Sequence, residues 1–341
     1  MLQVTAPASI STSMAAFCRP DQQTTKEEKN MHRLSKLTGT LFVSMLISGT
    51  AFAQPLKIGW IQGNAAFQAE QRTEDGFKKY LTDNKISDWE ITYLDSAGAA
   101  EKVANNIDDA VNRGVDVIYI TYADLRASSN ALKSAEAAKI PVYTVDSGWI
   151  PGSTADITTN NWQMSAEVSL SLISQIKGKG NLIIITTDKI KPVRERTDTL
   201  KAILKEYPEV KIIGEYNFDV ANFYQETLNA VQDFATRYGN DITAVWTPWD
   251  EPAQAAITAL QGAGLTVPVS GMDGHPEAIK AVCAKDSMFV ATGRQQFEEW
   301  GAKLAEYAKR AKIDGEDPKS VTNGKDIVYY GATLFTKDNC Q

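Results

Sequence analysis

From residue 56 onward the chain alternates short, nearly continuous apolar runs with longer amphipathic stretches. The runs at 57–61, 90–95, 115–121, 141–145, 156–158, 181–186, 211–216, 244–247, 267–272 and 289–292 are bounded by Gly, Pro, Asn or Asp, which predicts strands. Between them the apolar residues recur with a helical period, predicting helices at 68–81, 99–113, 126–138, 165–176, 196–205, 223–238, 251–261, 277–284 and 296–312. In the stretch 99–113, for example, Val103, Ile107, Ala110 and Val111 share one face, and Gly114 supplies the stop.

Strict alternation of strand and helix means βαβ units, and apolar runs without a polar alternate suit parallel strands covered on both faces. The pattern occurs twice, over 56–158 and again over 181–292, with Lys177-Gly178-Lys179-Gly180 at the join. The expected fold is therefore α/β: two doubly wound, Rossmann-like parallel-sheet domains facing each other across a cleft. In such sheets ligands sit at the carboxyl ends of the strands.

A different pattern precedes the first strand. Residues 31–53 begin with a basic region (His32, Arg33, Lys36), continue as an uncharged apolar run over 37–51, and end on Ala51-Phe52-Ala53. This reads as a secretory signal peptide, too short for a membrane span of roughly 20 residues. The polar leader 1–30, with its Lys26-Glu27-Glu28-Lys29 run, is either an upstream start assigned ahead of Met31 or a disordered extension.

Composition narrows the function. The chain is 43% hydrophobic and 23% charged, with a formal net charge of −7. Removing the leader, which holds more basic than acidic residues, makes it more acidic still. Without a basic stripe it is a poor partner for nucleic acid or an anionic membrane. Past the signal the only histidine is His275, in an Asp-Gly-His-Pro segment that reads as a helix start. No Cys-x-x-Cys, His-Glu-x-x-His, Walker A or Gly-x-Gly-x-x-Gly string is present, so no metal or cofactor is expected. The balance favours binding without catalysis, although a carboxylate-only hydrolase stays open. Cys283 and Cys340 are either a disulfide, as an oxidising compartment permits, or two free thiols.

Polar and aromatic residues gather just past the strand ends. Gln62, Asn64, Phe67 and Gln68 follow the first strand, Asp146 the fourth and Asn161 the fifth. Arg194, Phe218, Trp249, Asp273 and Gln295 follow strands of the second set. Such a collection suits a neutral polyhydroxylated ligand: carboxylates and amides meet hydroxyls, and rings pack on C–H faces. Asp146 could instead serve as a turn residue. Arg196 could pair with a carboxylate on its own helix. Trp60, Trp246 and Trp300 read as core.

On these features the chain resembles the periplasmic sugar-binding proteins of the ribose/galactose-binding type, the solute receptors of ABC importers. The segments that carry the resemblance are Ile140 to Asp146, Asn160-Asn161, Val193-Arg194-Glu195-Arg196, Thr243 to Trp246 leading to Asp250-Glu251, and Gly271-Met272-Asp273-Gly274. The resemblance implies that Asp146, Asn161, Arg194, Phe218, Asp273 and Gln295 hold the sugar. It also implies a three-segment hinge, with crossings near 159–161, 294–296 and 326–328. The lobes would then be 54–160 plus 296–326, and 161–295 plus 327–341. Further implications are a monomer in the periplasm, hinge closure around a sugar or polyol, and delivery to an inner-membrane permease. The alternatives are a sensory receptor for a chemotaxis or kinase partner and, less in keeping with the sequence, a secreted carbohydrate hydrolase. The chain departs from the family in having Trp249 where relatives commonly place Asn, Ser147 in a position often held by Arg, and Gly63-Asn64-Ala65-Ala66-Phe67 for an Asn-Pro-Phe type segment.

Overall fold

The computed structural model describes residues 55–340; the leader and signal segment expected at 1–53 lie outside the described residues. The first strands of the chain are β1 (Lys57–Gln62), β2 (Glu90–Asp95), β3 (Val117–Thr121), β4 (Val142–Val145) and β5 (Ala155–Thr159), joined by α1 (Gln68–Asp83), α2 (Ala100–Asn112) and α3 (Ser129–Ala137). Every residue of β3, β4 and β5 is buried, as strands covered on both faces require. Helix α2 buries Val103, Ile107 and Ala110 against this sheet, and Gly114 follows it at φ 63°.

The second set comprises α4 (Asn161–Gln175), β6 (Gly180–Thr186), α5 (Lys191–Leu204), β7 (Val210–Asn217), α6 (Phe223–Tyr238), β8 (Ala244–Trp246), α7 (Asp250–Gly262), β9 (Val269–Ser270), α8 (Pro276–Val282) and β10 (Phe289–Arg294). The chain then returns through α9 (Phe297–Ala308) and ends in β11 (Ile327–Tyr330) and β12 (Thr333–Thr336). The sheet orders are β11-β5-β4-β3-β1-β2 and β12-β10-β9-β8-β6-β7. All pairings are parallel except β10 with β12. Each sheet thus repeats the same doubly wound order, in which the first strand of the set lies between the second and third. The carboxyl ends of the first and third strands mark the place where ligands bind in this topology.

Three details differ from the sequence reading. Strands β11 and β12 were not expected, and β11 pairs with β5 in the first sheet. Residues 327–330 therefore belong to the first lobe, not the second, and the last crossing falls at Gly331-Ala332. Helix α5 begins at Lys191, one turn before expected, because Pro192 is tolerated in a first helical turn. Helix α4 begins at Asn161, with the Asn160 side chain accepting from Gln163 N at 3.1 Å as its cap.

Trp60, Trp246 and Trp300 are fully buried, in line with the core reading. Helices α1 and α9 pack without clearance at their crossing: a Cβ on Gly76 would collide with the Glu298 carbonyl, and one on Gly301 with the Thr73 carbonyl. Of the two alternatives open for the cysteines, the structure has the disulfide. It joins Cys283, at the end of α8, to Cys340 beyond β12, with Cα atoms 5.5 Å apart.

Candidate ligand-binding site

The strands of both sheets point their carboxyl ends at one interlobe space, and the residues just past three of them have unusual backbone. Tyr122 after β3, Asp146 after β4 and Asp273 after β9 have φ of 52°, 42° and 119°. Conformations of this kind cost side-chain-bearing residues roughly 1–3 kcal/mol each and persist only where the surroundings enforce them. Here the neighbouring strands do so. Tyr122 N donates to Val145 O at 2.9 Å, Asp146 N to Ile157 O at 2.9 Å, and Asp273 N to Gly293 O at 2.8 Å.

Between the lobes lies a tight cavity of about 40 Å³, room for a few waters, so a larger ligand needs the lobes to part. The first lobe lines it with Phe67, Ala69, Tyr122, Asp146 and Phe297. The second contributes Ile190, Val193, Arg196, Trp249, Glu251 and Asp273.

Arg196 ties the polar part together. Its side chain is only 3% exposed, and its Nη2 meets Asp146 Oδ2 across the cleft at 2.8 Å. Nε donates to Asn161 Oδ1 at 2.6 Å, and Nη1 donates to Pro248 O at 3.0 Å. The same Nη1 lies 3.8 Å from Asp273 Oδ1. Asp146 Oδ1 accepts from Thr158 Oγ1 at 2.5 Å and Asn161 Nδ2 at 3.2 Å, so the buried pair is also hydrogen-bonded, as a desolvated ion pair must be. Gln295 Nε2 donates to Asp273 Oδ1 at 2.7 Å, while Gln295 Oε1 is buried without a partner among the described residues. Burial pushes the Asp273 carboxyl pKa up, against the opposing pull of His275 and Arg196.

Behind this group His275 Nε2 lies 3.1 Å from Glu251 Oε2, and its Nδ1 lies 3.2 Å from Arg72 Nη1. Burial disfavours charge on the ring, whereas the Glu251 hydrogen bond and the carboxylates of Glu251, Asp273 and Asp250 favour it. The Arg72 contact works the other way, since a guanidinium only donates and requires a lone pair on Nδ1. We assign the neutral ring, with its proton on Nε2 directed at Glu251. Arg72, on the first lobe, is fixed by Glu298 at 2.8 and 3.0 Å and reaches over to the Asp273 carbonyl at 3.2 Å. Glu251, Asp273 and His275 bring donor atoms within 4.8 Å of one another. With Arg72 and Arg196 already against this group, it serves as a hydrogen-bonding cluster.

Of the residues named from sequence, Phe67, Asp146, Trp249 and Asp273 line the cavity. Asn161 and Gln295 stand directly behind it, holding Asp146, Arg196 and Asp273. Phe218 backs the Trp249 ring at 5.1 Å between centroids. Asn64 and Gln68 instead bridge the lobes: Asn64 Nδ2 donates to Val220 O at 3.2 Å, and Gln68 N donates to Glu251 Oε1 at 3.1 Å. Gln62 is buried at the end of β1 and is not part of the cavity wall. Arg194 is a correction: its guanidinium turns outward to the carbonyls of Asp188 and Lys189 at 2.6 and 3.0 Å. The arginine in the cleft is Arg196, which pairs across the lobes and not with its own helix. Tyr122, which follows the third strand, also lines the wall, and sequence reasoning missed Glu251 and Phe297 there.

Comparison with known proteins agrees with this architecture. Residues 58–317 match the family described as periplasmic binding protein domain. The chain is 30% identical over 299 residues to the ribose import binding protein of Salmonella typhimurium, covering 84% of this chain and 94% of the relative. It is similar to an ABC transporter solute-binding protein from Agrobacterium vitis solved with bound allitol, at 25% identity and a TM-score of 0.75, over 84% of this chain and 97% of the other. A sugar ABC transporter subunit from Rhodobacter sphaeroides matches at 26% identity and a TM-score of 0.73, over 83% and 99% of the two chains.

Proposed function

Because the chain belongs to the periplasmic binding protein domain family, we propose that its cleft captures a neutral sugar or polyol for an importer permease. The sugar-binding transport role is that of the family. The ligand's chemical character comes from the cavity itself. The observation that carries it is the Asp146–Arg196–Asp273 group, buried and shared between the lobes. Three carboxylates line the cavity against one guanidinium. That guanidinium already spends three of its five N–H groups on Asp146, Asn161 and Pro248. Such a lining welcomes hydroxyl donors and repels carboxylates and phosphates, so sugar acids and sugar phosphates are poor ligands. Phe67 and Trp249 offer ring faces to C–H groups.

We read the site as binding without catalysis, with each Glu251 oxygen already held by a partner, Gln68 N or His275. Asp146 is held in the same way by Thr158, Asn161 and Arg196. The hinge segments 159–161, 294–297 and 331–332 would let the lobes close on the ligand, as in the hinge motions of periplasmic binding proteins. A periplasmic location fits the signal-like residues 31–53, and no helix among the described residues is long and apolar enough to cross a membrane. The acidic chain argues against nucleic acid, and we read the working form as a monomer.

Thermal-shift screening of neutral sugars, alditols and sugar acids tests this reading. A ligand at 100 times its Kd adds about 2.7 kcal/mol to stability, so a clear rise in Tm with neutral members and none with acids is expected. A broad neutral panel that leaves Tm unmoved, or a stronger response to sugar acids, overturns it.

A further inference from the structure

We propose that the ligand is a partly deoxygenated sugar or polyol. One edge bears hydroxyls, and the end facing Trp249 is bare, as a deoxy or methyl-bearing carbon. This rests on the sugar-binding reading and sharpens it.

The argument is an inventory of hydrogen-bonding capacity. Tyr122 Oη is engaged by Thr73 Oγ1 at 2.5 Å, and each Glu251 oxygen already accepts one hydrogen bond. What remains for a ligand is two N–H groups of Arg196 and spare lone pairs on Asp146, Glu251 and Asp273. These form one contiguous group, since Arg196 lies within 4 Å of Asp146 and Asp273, and Glu251 brings an oxygen within 4.8 Å of Asp273.

The rest of the wall is Phe67, Ala69, Ile190, Val193, Trp249 and Phe297. Trp249 is fixed by edge-on packing on Phe67 at 5.7 Å and Phe218 at 5.1 Å, and by Phe223 at 5.5 Å. A sugar hydroxylated at every carbon would press some hydroxyls against hydrocarbon, where they lose water and gain nothing. A ligand lacking the hydroxyl on that side loses nothing and gains apolar contact.

Isothermal titration of matched pairs tests this: D-ribose with 5-deoxy-D-ribose, L-galactose with L-fucose, and L-mannose with L-rhamnose. An apolar wall discriminates against one added hydroxyl by roughly 10–100-fold. In at least one pair the deoxy member should bind tighter by that factor. Trp249→Asn should reduce the preference to threefold or less or reverse it. Asparagine suits the helix-capping position that Trp249 occupies ahead of α7, and Trp249→Phe, which keeps the apolar wall, should retain the preference. If the fully hydroxylated member binds equally or better in every pair that binds, the inference is wrong while sugar binding stands. Should no member of any pair bind, the sugar reading and this inference fall together.

Discussion

Arg196 stands between two buried carboxylates that would otherwise face each other across the cleft, and its removal should do two separable things. Arg196→Ala leaves Asp146 without its ion-pair partner, which typically costs about 3–5 kcal/mol, and it should also abolish ligand binding. Arg194→Ala, which removes only a contact with loop carbonyls, should leave affinity within a factor of two. Urea melts and titration calorimetry on the two variants check this, and equal loss of binding in both would refute the assignment. The sequence contains both arginines two positions apart, and no property of either side chain separates them. What separates them is helical phase: with α5 starting at Lys191, Val193, Arg196, Thr197, Leu200 and Leu204 fall on the buried face. The error in placing the helix start became an error in choosing the arginine. Asp156 gives a pH prediction at this scale. Its Oδ1 accepts from Thr144 Oγ1, Ser147 N and Gly148 N, bracing the turn that carries Asp146. Burial pushes its pKa up from 3.8 to about 7. A carboxyl whose folded pKa is raised stabilises fully below pH about 4, and that contribution is lost as pH rises to about 7. Asp156→Asn keeps an acceptor at Oδ1 without the charge. Its stability advantage over the parent should therefore grow from pH 4 to 7, reaching at most on the order of 4 kcal/mol, and stay level above. A difference in Tm that does not change across that window would contradict the raised pKa.

Helices α1 and α9 come from opposite ends of the first lobe's sequence, yet they position the same wall of the cavity. Their crossing depends on Gly76 and Gly301, each of which sets its Cα against the partner helix's backbone. Gly301→Ala should force the helices apart and cost about 1–3 kcal/mol, as overpacking usually does. Because Phe297 lies one turn away on the same helix, ligand affinity should fall with it. A variant with parental Tm and affinity would show that the crossing has slack. The long helices and central strands were legible because each carries an apolar face of unambiguous period. Strands β11 and β12 were not, because they are short edge strands with mostly half-buried residues. Their lobe membership is set by pairing with β5 and β10, partners distant in sequence that no local pattern announces.

At the scale of the whole molecule the duplicated topology could be read from sequence, since two rounds of strand and helix are a property of the pattern itself. The cleft's outer contacts could not, because they depend on how two separately folded lobes meet. The disulfide acts inside the second lobe alone, and it closes a separation of 57 residues. Replacing both cysteines by serine should cost up to about 4 kcal/mol, readable as a lower Tm, and leave ligand affinity little changed. A large drop in affinity would mean that the chain end also governs the hinge. The lobes themselves meet through direct bonds of their own: Arg72 to the Asp273 carbonyl, Asn64 to the Val220 carbonyl, and Gln68 N to Glu251. Their consequence is one of timing. Each must break before a captured molecule can escape, yet none needs to exist while it enters, so they lengthen residence far more than they hasten capture. A stopped-flow comparison of the parent with Arg72→Ala should show an accelerated off-rate and a nearly constant on-rate. On the proposed transport role, a permease emptying this receptor would have to supply the force that parts bonds in which the cargo takes no part.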